Sequence, residues 1–181
     1  TVAGIDKKIA EKFLAAEYSD IEKGAQRFYA MTDKEVLNSF SQYYEKVTAF
    51  VGCLNEKYAQ WKQEKADAEG LKQQVLEMTA EQFEDPYQCA LGNEDSEQLP
   101  LFQFLKKYVE TDFATKYNAG MNKIEKLLAE EKFVEAKQVL SEAQNTVIEA
   151  SNFAANLSER IKAKSSLALG LYNIMSDMGY D

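Results

Sequence analysis

Steps of seven from Phe133 land on Leu140, Val147, Ala154, Ile161, Ala168 and Met175, and steps from Ala136 land on Ala143, Ala150, Leu157, Lys164 and Leu171. Two apolar rows kept up this long, broken only by Lys164, require an α-helix laid lengthwise against another helix. The same spacing runs from Phe40 through Val47, Leu54, Trp61 and Ala68, with Tyr44, Val51 and Tyr58 as the companion row. A period of seven rather than 3.6 favours near-parallel, gently supercoiled packing over steep crossing. With 2 prolines and 8 glycines in 181 residues there is little turn-forming material, so the elements must be long and an all-β fold is excluded.

Capping chemistry sets the boundaries. Thr32-Asp33-Lys34-Glu35 has the form of a capping box, which ends a first helix near Tyr29 and opens a second at Asp33. Gly70 reads as a break, and Asp85-Pro86 blocks continuation because proline lacks a donor and disfavours helix in the residue before it. Pro100 suits a first helical turn, and Glu130-Glu131-Lys132 makes a tight turn before the last helix, which Gly179 stops. The expected fold class is all-α: one domain over 1–181, an elongated antiparallel four-helix bundle with one loop-containing connection. Its helices fall at about 6–29, 33–68, 71–84, 100–129 and 133–177, with a loop at 85–99. A helix of about 45 residues extends roughly 65 Å. Leu128 to Ala136 has the pattern of one tetratricopeptide-type turn, but it occurs once and supports no repeat architecture.

The composition removes several classes of function. A formal charge of -9 argues against nucleic acid as a partner, because phosphates would be repelled. There is no histidine, so neither the Glu-x-x-His pairs of a di-iron bundle nor an imidazole-based triad exists, and no glycine-rich phosphate loop is present. The paired carboxylates Glu130-Glu131 and Glu94-Asp95 fall at predicted turns and read as solvated surface. No catalytic residue, metal site or cofactor is expected, and the chain reads as non-enzymatic. Cys53 and Cys89 make no disulfide framework, and a single bridge between them stays open. No run of about 18 apolar residues occurs. The opening Thr1-Val2-Ala3-Gly4 fits a segment excised from between two membrane anchors, so membrane contact is expected only through flanking segments.

Asp85-Pro86-Tyr87-Gln88-Cys89-Ala90-Leu91-Gly92 interrupts the helical pattern and is the sharpest motif of the chain. With Trp61 before it and Ile124 after it, the segment from Tyr58 to Ile124 resembles the four-helix sensory domains of bacterial methyl-accepting chemotaxis proteins. The closest pattern is the chemoreceptor zinc-binding subset, with Asp85, Pro86, Cys89 and Gly92 matching its Asp-Pro-x-x-Cys-x-x-Gly element. Tyr58 stands in place of that subset's first histidine, and Phe113 or Ala114 and Tyr117 or Asn118 stand near the other two. Its later tryptophan is absent. Only Cys89 remains of the zinc ligands, and one thiolate does not make a four-coordinate site. The resemblance therefore implies a scaffold and a role without metal: a periplasmic sensory bundle that binds a small molecule or partner and signals by helix displacement.

Each candidate also has a packing explanation. Tyr58 and Trp61 sit on the heptad seam, and Cys89 belongs to a residue type often buried as a small hydrophobe. Asn152, Asn156 and Arg160 form a polar row at four-residue spacing. If that row faces the interior, Arg160 suits a ligand carboxylate. The candidate ligand-binding set is therefore Tyr58, Trp61, Tyr117, Asn152, Asn156 and Arg160. A small-molecule ligand and a homodimer formed through the long helices are the expected partners. The alternative is a helical structural or protein-interaction module.

Overall fold

The computed structural model describes residues 4–92 and 96–179 of the chain. It is 83% helical, which makes the class all-α. The contacts divide the chain into two compact units, residues 1–65 and 66–181, and the dividing line falls inside one long helix. Lysines and arginines balance aspartates and glutamates, ten of each, over residues 1–65, so the whole excess of -9 belongs to residues 66–181.

The first unit is a helical hairpin. Helix α1 (Lys7–Phe28) starts where the Asp6 carboxylate accepts from the amides of Lys8 and Ile9 at 2.9 and 3.3 Å. It is kinked at Leu14, whose backbone leaves the helical region at φ -147°, ψ 49°. The turn into α2 (Asp33–Thr79) is closed by Glu35, whose carboxylate accepts from the Thr32 amide at 2.9 Å and the Thr32 hydroxyl at 2.6 Å. Those two bonds hold the Glu35 carboxyl below its usual pKa. Ala10, Leu14, Tyr18 and Ile21, spaced four, four and three apart, bury their side chains against Phe50 and Leu54. At the hairpin end the Tyr43 hydroxyl donates to the Ile21 carbonyl at 2.9 Å, and its ring lies 4.7 Å from Phe28. Gly24 is the point of closest approach, since a Cβ there would stand 2.6 Å from the Tyr43 ring.

In the second unit the end of α2 is followed by β1 (Gln82–Glu84), α3 (Pro86–Ala90), β2 (Gln98–Pro100), α4 (Leu101–Tyr108), α5 (Phe113–Ala129) and α6 (Phe133–Asp177). The strands pair antiparallel, with Phe83 opposite Leu99. The core runs from Val75 through Leu101, Phe104 and Leu105 to Ile124, Leu127 and the α6 row Ala136, Leu140, Ala143, Val147, Ala150 and Ala154. Between α5 and α6 the Lys132 amide donates to the Leu127 carbonyl at 2.8 Å and the Glu131 amide to Leu128 at 3.1 Å. This is a Schellman turn whose left-handed position holds Glu131, at φ 57°, instead of glycine.

Several sequence expectations are corrected. The 71–84 segment is not a separate helix: α2 runs through Gly70, because one glycine in an exposed helix face costs only about 1 kcal/mol. The 85–99 loop contains α3 and most of β2, and Pro100 closes β2 and caps α4 rather than lying in its first turn. The 100–129 helix is two helices, separated where Val109 turns extended at φ -158°, ψ 143°. Among the described residues the chain has six helices and a two-stranded ribbon, which does not confirm a four-helix bundle. The α6 rows bury as far as Ala154 and then emerge, leaving Leu171 and Met175 exposed.

Candidate functional site

The motif from Asp85 to Gly92 folds into a polar clasp in the second unit. Asp85 is 5% exposed. Its Oδ1 accepts from the amides of Tyr87 and Gln88 at 3.0 and 3.2 Å, capping α3, and Pro86 takes the first helical position, where no donor is needed. Gly92, at φ 74°, supplies the left-handed residue that ends α3. The returning strand is tied to the same turn. The Asp85 amide donates to the Glu97 carbonyl at 2.9 Å, and the Glu97 amide donates to Gln88 Oε1 at 3.1 Å.

The ion at the centre of the clasp comes from α4. Lys107 Nζ donates to Asp85 Oδ2 and to Glu97 Oε2, both at 2.8 Å. Burial raises the Asp85 pKa, but the Lys107 ammonium, then the neighbouring Tyr108 hydroxyl and the two α3 amides, outweigh it and hold the carboxyl at about 2. Lys107 is shifted upward, chiefly by its bonds to Asp85 and then Glu97. The Tyr108 hydroxyl is buried beside the same carboxylate but outside hydrogen-bonding geometry, and among the described residues it is a buried side-chain oxygen with no partner. Burial, then the close approach of its hydroxyl to the Asp85 carboxylate, and after that the Asp85 charge, push its pKa up to about 12.

These shifts run opposite to what acid–base chemistry requires, since a base held at about 2 and an ammonium fixed in its charged form transfer no proton near neutrality. The clasp holds its loop closed. Cys89 takes part, with Sγ donating to Glu84 Oε2 at 3.1 Å and lying 3.6 Å from Ser96 Oγ, and both Cys53 and Cys89 are free thiols. Glu94 and Asp95, like Thr1 to Ala3, lie outside the described residues. No group of three or more cysteines and carboxylates among the described residues is arranged to hold a metal ion.

The other candidates divide between the units. Tyr58 and Trp61 belong to the hairpin, half-buried and stacked at 6.1 Å, with Phe13 at 6.2 and 6.1 Å from them. Lys12 Nζ stands 4.1 Å over the Trp61 ring, and Lys62 Nζ 5.2 Å over Tyr58, so cations brace these aromatics where α1 meets α2. Tyr117 is buried in the second unit with its ring 5.1 Å from Phe102, and burial raises its pKa. Asn152, Asn156 and Arg160 are exposed along α6, so the polar row does not face an interior. Asn156 Nδ2 donates to the Asn152 carbonyl at 2.8 Å.

Lys107, Tyr108 and Glu97 were not singled out from the sequence. The available signal was the burial row of α4, where Leu101, Phe104 and Leu105 place Tyr108 on the inward face, one turn beyond Phe104.

Apolar clefts lie elsewhere. Where α4 meets α5, a cleft of about 450 Å³ is lined by Phe102, Leu105, Lys106, Val109, Thr111 and Ala114. The hairpin carries two grooves, about 250 Å³ beside Leu14, Ile21, Ala49 and Phe50, and about 400 Å³ beside Ile5, Ile9, Val47, Val51 and Leu54. No helix among the described residues is long and apolar enough to cross a membrane. No protein-family model, curated protein or solved structure matches this chain.

Proposed function

We propose that this protein is a non-enzymatic helical interaction module whose α1–α2 hairpin receives an amphipathic helix from a partner protein. The observation that carries this reading is the pair of apolar grooves flanking the hairpin, lined by Leu14, Ile21 and Phe50 on one and by Ile9, Val47 and Val51 on the other. Two helices supply only part of the side-chain layers that a bundle interdigitates, and a third helix laid along either groove completes them. The hairpin has no net formal charge, so recognition rests on apolar anchors at i, i+3, i+4 and i+7 more than on charge. A library of amphipathic helical peptides, screened against the whole protein by fluorescence anisotropy, tests the reading. Binders should lose at least about tenfold in affinity on Val51→Glu or Ala49→Glu. A library without binders, or binders indifferent to both changes, contradicts it.

The sensory reading keeps one supporting observation, the α4–α5 cleft of about 450 Å³ with Lys106 on its wall. That volume suits a small molecule. Under this reading the chain is the periplasmic domain of a bacterial receptor. Calorimetry with a panel of small carboxylates should then show heat that Lys106→Ala removes.

A further inference from the structure

From Leu167 onward, α6 carries an apolar stripe that no described residue covers. Leu167, Leu171, Ile174 and Met178 recur at steps of four, three and four, and with Met175 they are 53% to 67% exposed. That spacing is the seam of a coiled coil. It also continues the row that passes through Lys164 and Leu171, so the pattern that buries the first half of α6 persists where the described residues supply no covering side chains.

We infer that this end of α6 pairs with the same segment of a second copy, antiparallel, to form a dimer. Charge selects the occupant and the direction. From Ile161 to Ser176 the charged residues are Lys162 and Lys164, with Arg160 just before them and Asp177 just after. A parallel pair sets Lys164 against Lys164 and Arg160 against Arg160 beside an apolar seam, where like charges repel. An antiparallel pair lays the basic end of each helix along the C-terminal end of the other, where Asp177 and the negative helix terminus favour it. One antiparallel register fills every layer with apolar side chains, setting Leu167 against Met178 and Leu171 against Ile174 of the second copy. Gly170 meets no other atom at its Cβ position and leaves room for close approach. The area removed from water is on the order of 1,000 Å², at the lower end for specific interfaces, so the association is weak and reversible.

Sedimentation velocity of the whole protein from about 1 to about 500 micromolar reads this directly. The monomer should give way to dimer across that range, and Leu171→Glu, at an exposed site, should keep the protein monomeric with its circular dichroism unchanged. Direction is read by oxidation in a Cys53→Ser, Cys89→Ser background. A mixture of Leu171→Cys and Ile174→Cys proteins should cross-link several-fold more than either alone. A monomer at every concentration, or a dimer indifferent to Leu171→Glu, overturns the inference. So does Leu171→Cys cross-linking chiefly with itself, which indicates a parallel pair. A monomeric wild type that Leu171→Glu unfolds overturns it too, because the stripe would then be covered by its own chain.

Discussion

The Lys107 ammonium lies 2.8 Å from the Asp85 carboxylate, joining the last turn of α4 to the cap of α3 across 22 residues of sequence. Asp85 is buried and Lys107 is 40% exposed, so one end of the pair is dry and the other wet. The dry end pays the desolvation cost, and its two amide bonds and the ammonium repay it.

Asp85 therefore makes stability depend on pH in the acid range. Its folded pKa of about 2 lies below the usual 3.8, so the unfolded chain takes up the proton first. The contribution is complete above the unfolded value and is lost as the pH falls through the folded one. With solvent at Lys107 weakening the pair, it amounts to about 1–2 kcal/mol. Urea unfolding of wild type and Asp85→Asn should show a difference that shrinks by about this much between about pH 5 and pH 2. A difference constant with pH would contradict the account.

Tyr108 offers the opposite test in the same clasp. Its hydroxyl is buried without a hydrogen-bond partner among the described residues, while its ring lies 4.9 Å from Phe104 and 5.9 Å from Tyr87. Tyr108→Phe keeps the ring contacts and removes an unsatisfied polar atom. Stability should stay level or rise by up to about 1 kcal/mol in urea, where a bonded buried hydroxyl would be lost at a similar cost.

Gly24 and Tyr43 set the spacing of the hairpin. A methyl group at Gly24 meets the Tyr43 ring at 2.6 Å, and the ring is held by its bond to Ile21 and by Phe28. Alanine gains about 1 kcal/mol of helix propensity, against about 1–3 kcal/mol for overpacking. Gly24→Ala is expected to destabilise by about 1 kcal/mol, and in the Tyr43→Ala background it should stabilise. Thermal melts of the four proteins in this cycle measure the coupling.

Gly70 and Glu131 are two places where backbone preference is poorly met. A Cβ at Gly70 meets nothing, so Gly70→Ala should stabilise by about 1 kcal/mol. Glu131 holds a left-handed conformation that suits glycine, and Glu131→Gly should stabilise by about 0.5–1 kcal/mol. Urea midpoints check both.

What could be read from the sequence followed from the range over which each signal acts. The limits of α6 were legible because its repeat and its capping turn are local and long. The break between α4 and α5 was not, because Val109-Glu110-Thr111-Asp112 contains neither glycine nor proline, and β1 and β2 are three residues each, too short for alternation to show. Asp85-Pro86 was recognised as an interruption, and its chemistry was missed, because the partners Lys107 and Glu97 are brought to it by the fold. Arg160 was the reverse case, a suggestive spacing on a helix face that the structure leaves in solvent.

The central claim is that the open grooves of the α1–α2 hairpin are where a partner helix sits. Amide hydrogen exchange on the whole protein, with and without the tightest peptide from the amphipathic library, tests it most directly. The account predicts slowed exchange within residues 9–21 and 47–54, with residues 85–108 unchanged. Protection appearing instead around residues 102–114, or nowhere in the hairpin, would contradict it.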